Sequence, residues 1–189
     1  MTVLTSKSRI IFLGTGTSEG VPRVSCLTNP ASQCKVCPDA IKKGSPNRRR
    51  NTSILIQRQL ADGRTNNIVI DAGKFFYEAA IQWFPKFKVE CIDALVITHA
   101  HADAIGGLDD LRDWTNNTQE SLPIYLRDPD YKQVQSLFYY LVDRTKKTGG
   151  GGVAKLNFKS INASPFTIDG LRIIPLPVEH GKNREVFGY

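Results

Sequence analysis

Two histidines separated by one residue stand near the end of the run Ala94-Leu-Val-Ile-Thr-His-Ala-His-Ala-Asp103, and they are the first residues whose types and spacing could do chemistry. Ala94 to Ile97 is uninterrupted apolar sequence and reads as a buried strand. In extended backbone, residues i and i+2 share a face, so His99 and His101 can converge on one ion while Asp103 follows from the turn. Neutral imidazole suits zinc, iron and other borderline ions, and a neighbouring carboxylate can hold a second metal or orient the ligands. A bare His-x-His also arises by chance on a surface or in a core. The downstream Asp103, the small Ala100 and Ala102, and Gly106-Gly107 opening a helix all favour ligation here.

A second set of donors lies earlier, in a loop spanning residues 23–50. Cys26 is followed by Cys34-Lys-Val-Cys37, whose two-residue gap is that of a zinc knuckle. A redox pair is the competing reading, and no thioredoxin-like strand and helix frame it. Cys91 precedes the buried strand and reads as a core residue.

The surrounding elements must hold these groups. Ile10-Ile-Phe-Leu13 reads as a buried strand opening into Gly14-Thr-Gly16 and Gly20. A dinucleotide fingerprint fails there, because Pro22 stands where its helix should start and the glycine spacing differs. Ser53–Gln57 and Ile68–Ile70 read as paired strands, with Ala61-Asp-Gly-Arg64 and Asn66-Asn67 as turn residues. Phe75–Phe84 has helical spacing that Pro85 should stop. Leu108–Trp114 reads as a helix, Ile124–Leu126 as a strand, and Tyr131–Val142 as an amphipathic helix ended by Gly149–Gly152. Phe166–Ile174 suggests a hairpin about Asp169-Gly170. Strands alternating with helices, with hairpins mixed in, imply an α/β fold with mixed sheets.

At 189 residues, 41% hydrophobic and 23% charged, the chain is sized and composed as one globular domain spanning 1–189 and not as a disordered tail. No apolar run approaches the roughly 18 residues of a spanning helix. The polar N-terminus meets Ile10 without a secretory pattern, so a cytoplasmic location is expected. The net charge of +7 favours an anionic partner or a phosphate-bearing substrate. Much of the excess sits in Lys42-Lys43 and Arg48-Arg49-Arg50. Beside Gly44 and Pro46 this run reads as a solvated loop, with contact to substrate phosphate or RNA as the alternative. Three Asn-x-Ser/Thr triplets match the glycosylation pattern but lack the secreted context it needs.

Thr98-His-Ala-His-Ala-Asp103 with Gly106-Gly107 resembles the central His-x-His-x-Asp-His motif of the metallo-β-lactamase superfamily. Asp71-Ala-Gly73 resembles that superfamily's upstream acidic motif at a strand end. Phe12-Leu-Gly-Thr-Gly16 and Gly20-Val-Pro22 resemble the opening of its phosphodiesterase branch, which includes the phosphoribosyl 1,2-cyclic phosphate phosphodiesterases and, more distantly, the tRNA 3′-processing endonucleases. Leu176-Pro-Val-Glu-His180 with Phe187-Gly-Tyr189 resembles the third ligand motif of the same branch.

This resemblance implies a four-layer αββα sandwich with a metal site at one edge of the paired sheets. His99, His101 and His180 would hold one ion, zinc or else manganese or iron, which can bring the pKa of a bound water to about 7 and supply a nucleophile. Asp103 would position that water or bind a second ion, and Asp71 would orient the ligand loop. The cysteine loop would hold a structural zinc through Cys26, Cys34 and Cys37, with a fourth ligand from the C-terminal region. Two departures stand out. Ala104 replaces the histidine expected after Asp103, and Tyr189 is reached before the family's bridging Asp and final His. The expectation is a C-terminally truncated form of the fold.

The function so implied is metal-dependent hydrolysis of a small or cyclic phosphodiester. The alternatives are an inactive short isoform acting as a metal-stabilised or RNA-binding protein, and a thiolester hydrolase on the same scaffold. Unpaired sheet edges would favour association into a homodimer.

Overall fold

The structure is a computed structural model that describes residues 8–146, 151–182 and 184–189. The chain opens with β1 (Ser8–Gly14), passes α1 (Val24–Thr28) and α2 (Val36–Ala40), and forms the hairpin β2 (Ser53–Gln59) and β3 (Thr65–Ile70). Then come α3 (Phe76–Phe87), β4 (Ala94–Val96), α4 (Ala102–Ile105), α5 (Arg112–Asn117) and β5 (Leu122–Arg127). Helices α6 (Asp128–Leu137) and α7 (Tyr139–Val142) lead to β6 (Leu156–Ile161). Two hairpins follow, β7 (Phe166–Ile168) with β8 (Leu171–Ile173), and β9 (Leu176–Glu179) with β10 (Glu185–Gly188).

Strands β1 to β6 lie side by side in sequence order in a single sheet. The first two pairings are antiparallel and the next three parallel. The switch follows from the connections: a tight turn joins β2 to β3, whereas α3, α4–α5 and α6–α7 carry the later crossovers. On one face Leu55, Val69, Leu95 and Ile124 pack against Phe76, Ala80 and Phe84 of α3 and Val134 of α6. On the other face Ile68, Ala94 and Val96 pack against Ile168 and Ile173 of the β7–β8 hairpin, and among the described residues no helical residue joins that second cluster. Burial on both faces explains why Ala94–Ile97 is apolar without alternation. The result is a helix layer, a sheet and a facing β layer, three of the four layers expected of a metallo-β-lactamase-type sandwich.

Several sequence expectations are corrected. Asn66 and Asn67 are not turn residues but lie in β3, both buried. Their side-chain amides find acceptors there, Asn66 Nδ2 donating to Asp169 Oδ2 at 2.7 Å and Asn67 Nδ2 to the Cys91 carbonyl at 3.1 Å, while Asn66 Oδ1 is buried without a partner. Helix α3 runs through Pro85 to Phe87, because Phe84 packs on Trp114 and Phe87 on Trp83 on either side of it. That packing offsets the roughly 3 kcal/mol that an interior proline costs. The helix expected over Tyr131–Val142 begins earlier, at Asp128 with Pro129 in its first turn, and breaks at Phe138. Of the Gly149–Gly152 run, residues 149 and 150 lie outside the described residues. The hairpin about Asp169-Gly170 forms as expected, both residues taking positive φ.

Candidate metal centre

Strands β3 and β4 run parallel, so the residues after each, Asp71 and Thr98-His99, emerge at the same sheet edge. Asp71 takes a left-handed conformation, φ 61°, which turns its carboxylate back over the end of β4. Asp71 Oδ1 accepts from the Thr98 amide at 2.8 Å and Oδ2 from the Thr98 hydroxyl at 2.7 Å. Thr98 Oγ1 lies 2.8 Å from His99 Nδ1. With the hydroxyl proton committed to the carboxylate, Oγ1 accepts from Nδ1–H, and His99 Nε2 is left with its lone pair. That Nε2 is buried and has no hydrogen-bond partner.

The loops bearing Asp71 and Asp103 are zipped together by backbone bonds, Ala72 N to Ala104 O at 2.8 Å and Gly107 N to Ala72 O at 2.8 Å. Only glycine fits at 73, where a Cβ would sit 2.0 Å from the Asp103 carbonyl oxygen. The Ala100 amide donates to Asp130 Oδ1 at 3.0 Å, and Asp130 Oδ2 accepts from Arg127 Nε at 2.6 Å. This pair is almost wholly buried and fixes the backbone between the two histidines.

His180 comes from late in the chain, immediately after β9. The β9–β10 hairpin is docked by Phe187 N to Thr98 O at 3.2 Å and Arg127 Nη1 to Glu185 O at 2.6 Å. His99, His101 and His180 thereby converge. Their ring centroids are 4.7, 4.8 and 5.2 Å apart, and one ligand nitrogen from each lies within 4.8 Å of the others. Tetrahedral zinc bonds near 2 Å place nitrogens roughly 3.3 Å apart, so a contraction of at most about 1.5 Å would close the set on an ion. The unpartnered His99 Nε2 and the all-imidazole donors fit a zinc-like ion. Asp103 Oδ1 stands 3.6 Å from His99 Nε2 and is partly open to solvent. Ala104, in place of the expected histidine, is buried.

Three contributors were not legible in the sequence: Thr98, Asp130 and Arg184. The Arg184 guanidinium reaches into the triad, Nη1 lying 2.6 Å from His101 Nε2, while Nη2 donates to Gln133 Oε1 at 3.0 Å. Arginine four residues after the third histidine is a signal visible only once the hairpin is known. Burial holds His99 and His101 below the usual imidazole range; Asp103 opposes this at His99, and Arg184 adds to it at His101. Burial pushes the Asp71 carboxyl up to about 7 against the two Thr98 hydrogen bonds.

Away from this edge the thiols of Cys26, Cys34 and Cys37 also lie within 4.8 Å of one another. The Arg23 amide points at Cys37 Sγ (3.3 Å) and the Cys37 amide at Cys34 Sγ (3.5 Å). Hydrogen bonds from the Cys37 amide and thiol hold the Cys34 thiol below its usual range, while hydrogen bonding to Cys37 raises Cys26 to about 11. Three sulfurs with amides aimed at them could hold a thiophilic ion. The Arg48–Arg50 run is not simply a solvated loop: Arg48 reaches Glu78, Arg49 reaches Thr15 and Arg50 reaches Gln82. Among the described residues no helix is long and apolar enough to cross a membrane.

Residues 66–189 match the family described as the beta-lactamase superfamily domain, and the chain belongs to that superfamily, the metallo-β-lactamases. Within it the fold falls with the PhnP family. The crystal structure of a diphosphatase from that family superposes with a TM-score of 0.74 at 28% identity, covering 96% of this chain and 61% of that one. Zinc-bound PqqB from Methylobacterium extorquens superposes at 0.62 with 19% identity, over 93% of this chain and 60% of its own, a likeness of fold alone. An octanoyltransferase of Porphyromonas gingivalis is 30% identical over 96% of this chain, which spans 32% of that protein. The chain thus spans less than two thirds of each of these relatives.

Proposed function

We propose that the protein is a metal-dependent hydrolase of a phosphodiester. The observation that carries this is the convergence of three imidazoles on a shared space with His99 Nε2 buried and unpartnered. His99, His101 and His180 would hold the ion. When bound, such an ion supplies Lewis acidity and lowers the pKa of a water. Asp71 acts through Thr98 to keep the His99 lone pair on Nε2, and so positions a ligand without touching substrate. Asp103, open to solvent beside the triad, is the group available to take a proton from an attacking water. Arg184, whose guanidinium matches two phosphoryl oxygens, is the cation available to the substrate. The diphosphatase likeness supports a phosphorus centre over a carbonyl one.

The test is hydrolysis of bis(p-nitrophenyl) phosphate by zinc-loaded protein beside an acyl thioester. Phosphodiester turnover that His99→Ala abolishes is expected; turnover undiminished in that variant, or confined to the thioester, would sink the reading. A non-catalytic, metal-stabilised protein is the second reading, favoured by the Arg184 contact with His101 and the buried Ala104. Its signature is tight zinc binding with no turnover of either substrate.

A further inference from the structure

Five cations of the basic run converge on one cleft. Lys42, Lys43 and Arg48–Arg50 line a cavity of about 600 Å³ whose other walls include Thr15, Phe12 of β1, and Gln82 and Trp83 of α3. The side chains are arranged around it by specific contacts. Arg48 and Arg50 both lean on Glu78 and Arg49 donates to Thr15 Oγ1 at 2.9 Å. Two carboxylates, Glu78 and Asp39, face these five cations, so the cleft keeps a positive surplus. The buried Arg50 Nε has only the Glu78 carboxylate near it, Oε2 lying 3.5 Å away, and Arg50 Nη1 donates to Gln82 Oε1 at 2.7 Å. Phe12 is 60% exposed there, an aromatic ring on an edge strand with nothing laid over it.

Guanidinium forks beside an exposed aromatic ring are the pairing that takes a phosphate backbone and an unstacked base together. Phe12 is that ring here, since Trp83 is half-buried with Lys86 Nζ 5.1 Å over its face. A duplex is too wide for a recess of this size, and a purely anionic ligand would leave Phe12 unused. Strands β1 and β3 are both antiparallel to β2, so the Gly14 end of β1 lies at the same sheet edge as His99. Three strand spacings put the cleft roughly 14 Å along that edge from the end of β4. It is separate from the imidazole triad. We infer that this cleft is a binding site for a short single-stranded nucleic acid, held by its phosphates on Lys43, Arg48, Arg49 and Arg50 and by a base on Phe12, with Trp83 in the cleft wall beside it. The inference does not depend on hydrolysis.

The experiment follows labelled hexauridylate by anisotropy with the full chain in EDTA, so that metal chemistry plays no part. Binding should weaken roughly 20-fold between about 50 and about 200 mM salt if three phosphates are contacted. The double variant Lys43→Glu/Arg49→Glu should bind at least tenfold more weakly, while Arg49→Lys restores most of the affinity and controls for folding. Binding should also quench Trp83 fluorescence, a signal lost in Trp83→Phe, since Trp114 packs in the core against Phe76 and Phe84. Absence of binding at low salt, or unchanged affinity in the double variant, overturns the assignment. So does displacement of the oligonucleotide by tripolyphosphate at equal phosphate concentration, because the bases would then contribute nothing.

Discussion

Arg184 holds its guanidinium 2.6 Å from His101 Nε2, so a permanent cation sits on an imidazole of a set otherwise fit for a metal ion. Arginine can only donate, which places the proton of neutral His101 on Nδ1, the atom 3.3 Å from His180 Nε2. Whichever nitrogen faces an ion, Arg184 must first give way. Arg184→Met is therefore expected to bind zinc about tenfold more tightly in a chelator competition. If Arg184 also meets substrate phosphate, the same variant raises KM with little change in kcat. Weaker zinc binding in Arg184→Met would show that the guanidinium supports the ligand set instead.

The Asp71–Thr98–His99 chain predicts a specific loss. Thr98→Val keeps shape and removes the hydroxyl, leaving Asp71 Oδ2 buried with one donor fewer and His99 free to change tautomer. A destabilisation of about 1–3 kcal/mol in chemical denaturation is expected. Zinc affinity should fall by roughly 10- to 100-fold. Loss of stability without loss of affinity would mean the hydroxyl serves the fold alone.

Asp71 also sets a pH dependence. Its carboxyl, ordinarily near 3.8, titrates at about 7 when folded. A raised folded pKa means the native state binds the extra proton between those values. Its stabilising contribution is complete below about pH 4 and lost as pH rises toward 7. In metal-free protein Asp71→Asn, which also tolerates positive φ, should gain stability relative to wild type across that window and show a constant difference above it. His99 and His101 titrate in both proteins and drop out of the comparison. A difference that is flat from pH 4 to 7 would contradict the shift.

The cysteine cluster is testable apart from the histidines. Cys37→Ser should lower the zinc content by about one per chain and remove cobalt–thiolate charge-transfer absorption, with no effect on metal held by His99, His101 and His180. Equal zinc content in wild type and Cys37→Ser would leave the thiols as an ordinary reduced cluster.

The metal edge was legible where chemistry and local periodicity coincide. His99 and His101 follow an apolar run that can only be a buried strand, and Asp71 ends another. The β7–β8 hairpin was legible because Asp169-Gly170 carries its turn chemistry in two residues. What was not legible depends on partners far along the chain. Asp130 serves Ala100, Arg184 meets His101 and Asp169 accepts from Asn66, and no local window of sequence contains any of the three pairs whole. Strands β6 and β9 escaped for a related reason: β9 is exposed along its whole length, so no alternation marks it. Pro85 misled because propensity is local, whereas the rings that carry α3 past it are tertiary.

His99 and His101 are set by the core sheet, but His180 rides at the end of β9, which buries nothing of its own. Two of three ligands are thus preorganised and the third arrives on a hairpin tied down through β10. If an ion binds there, its capture would be expected to take two steps, loading of the rigid pair and then engagement of His180 from the hairpin. Any ligand or partner that clamps β10 would tighten the metal without touching it, and the rate of metal loss would report the opening of that hairpin.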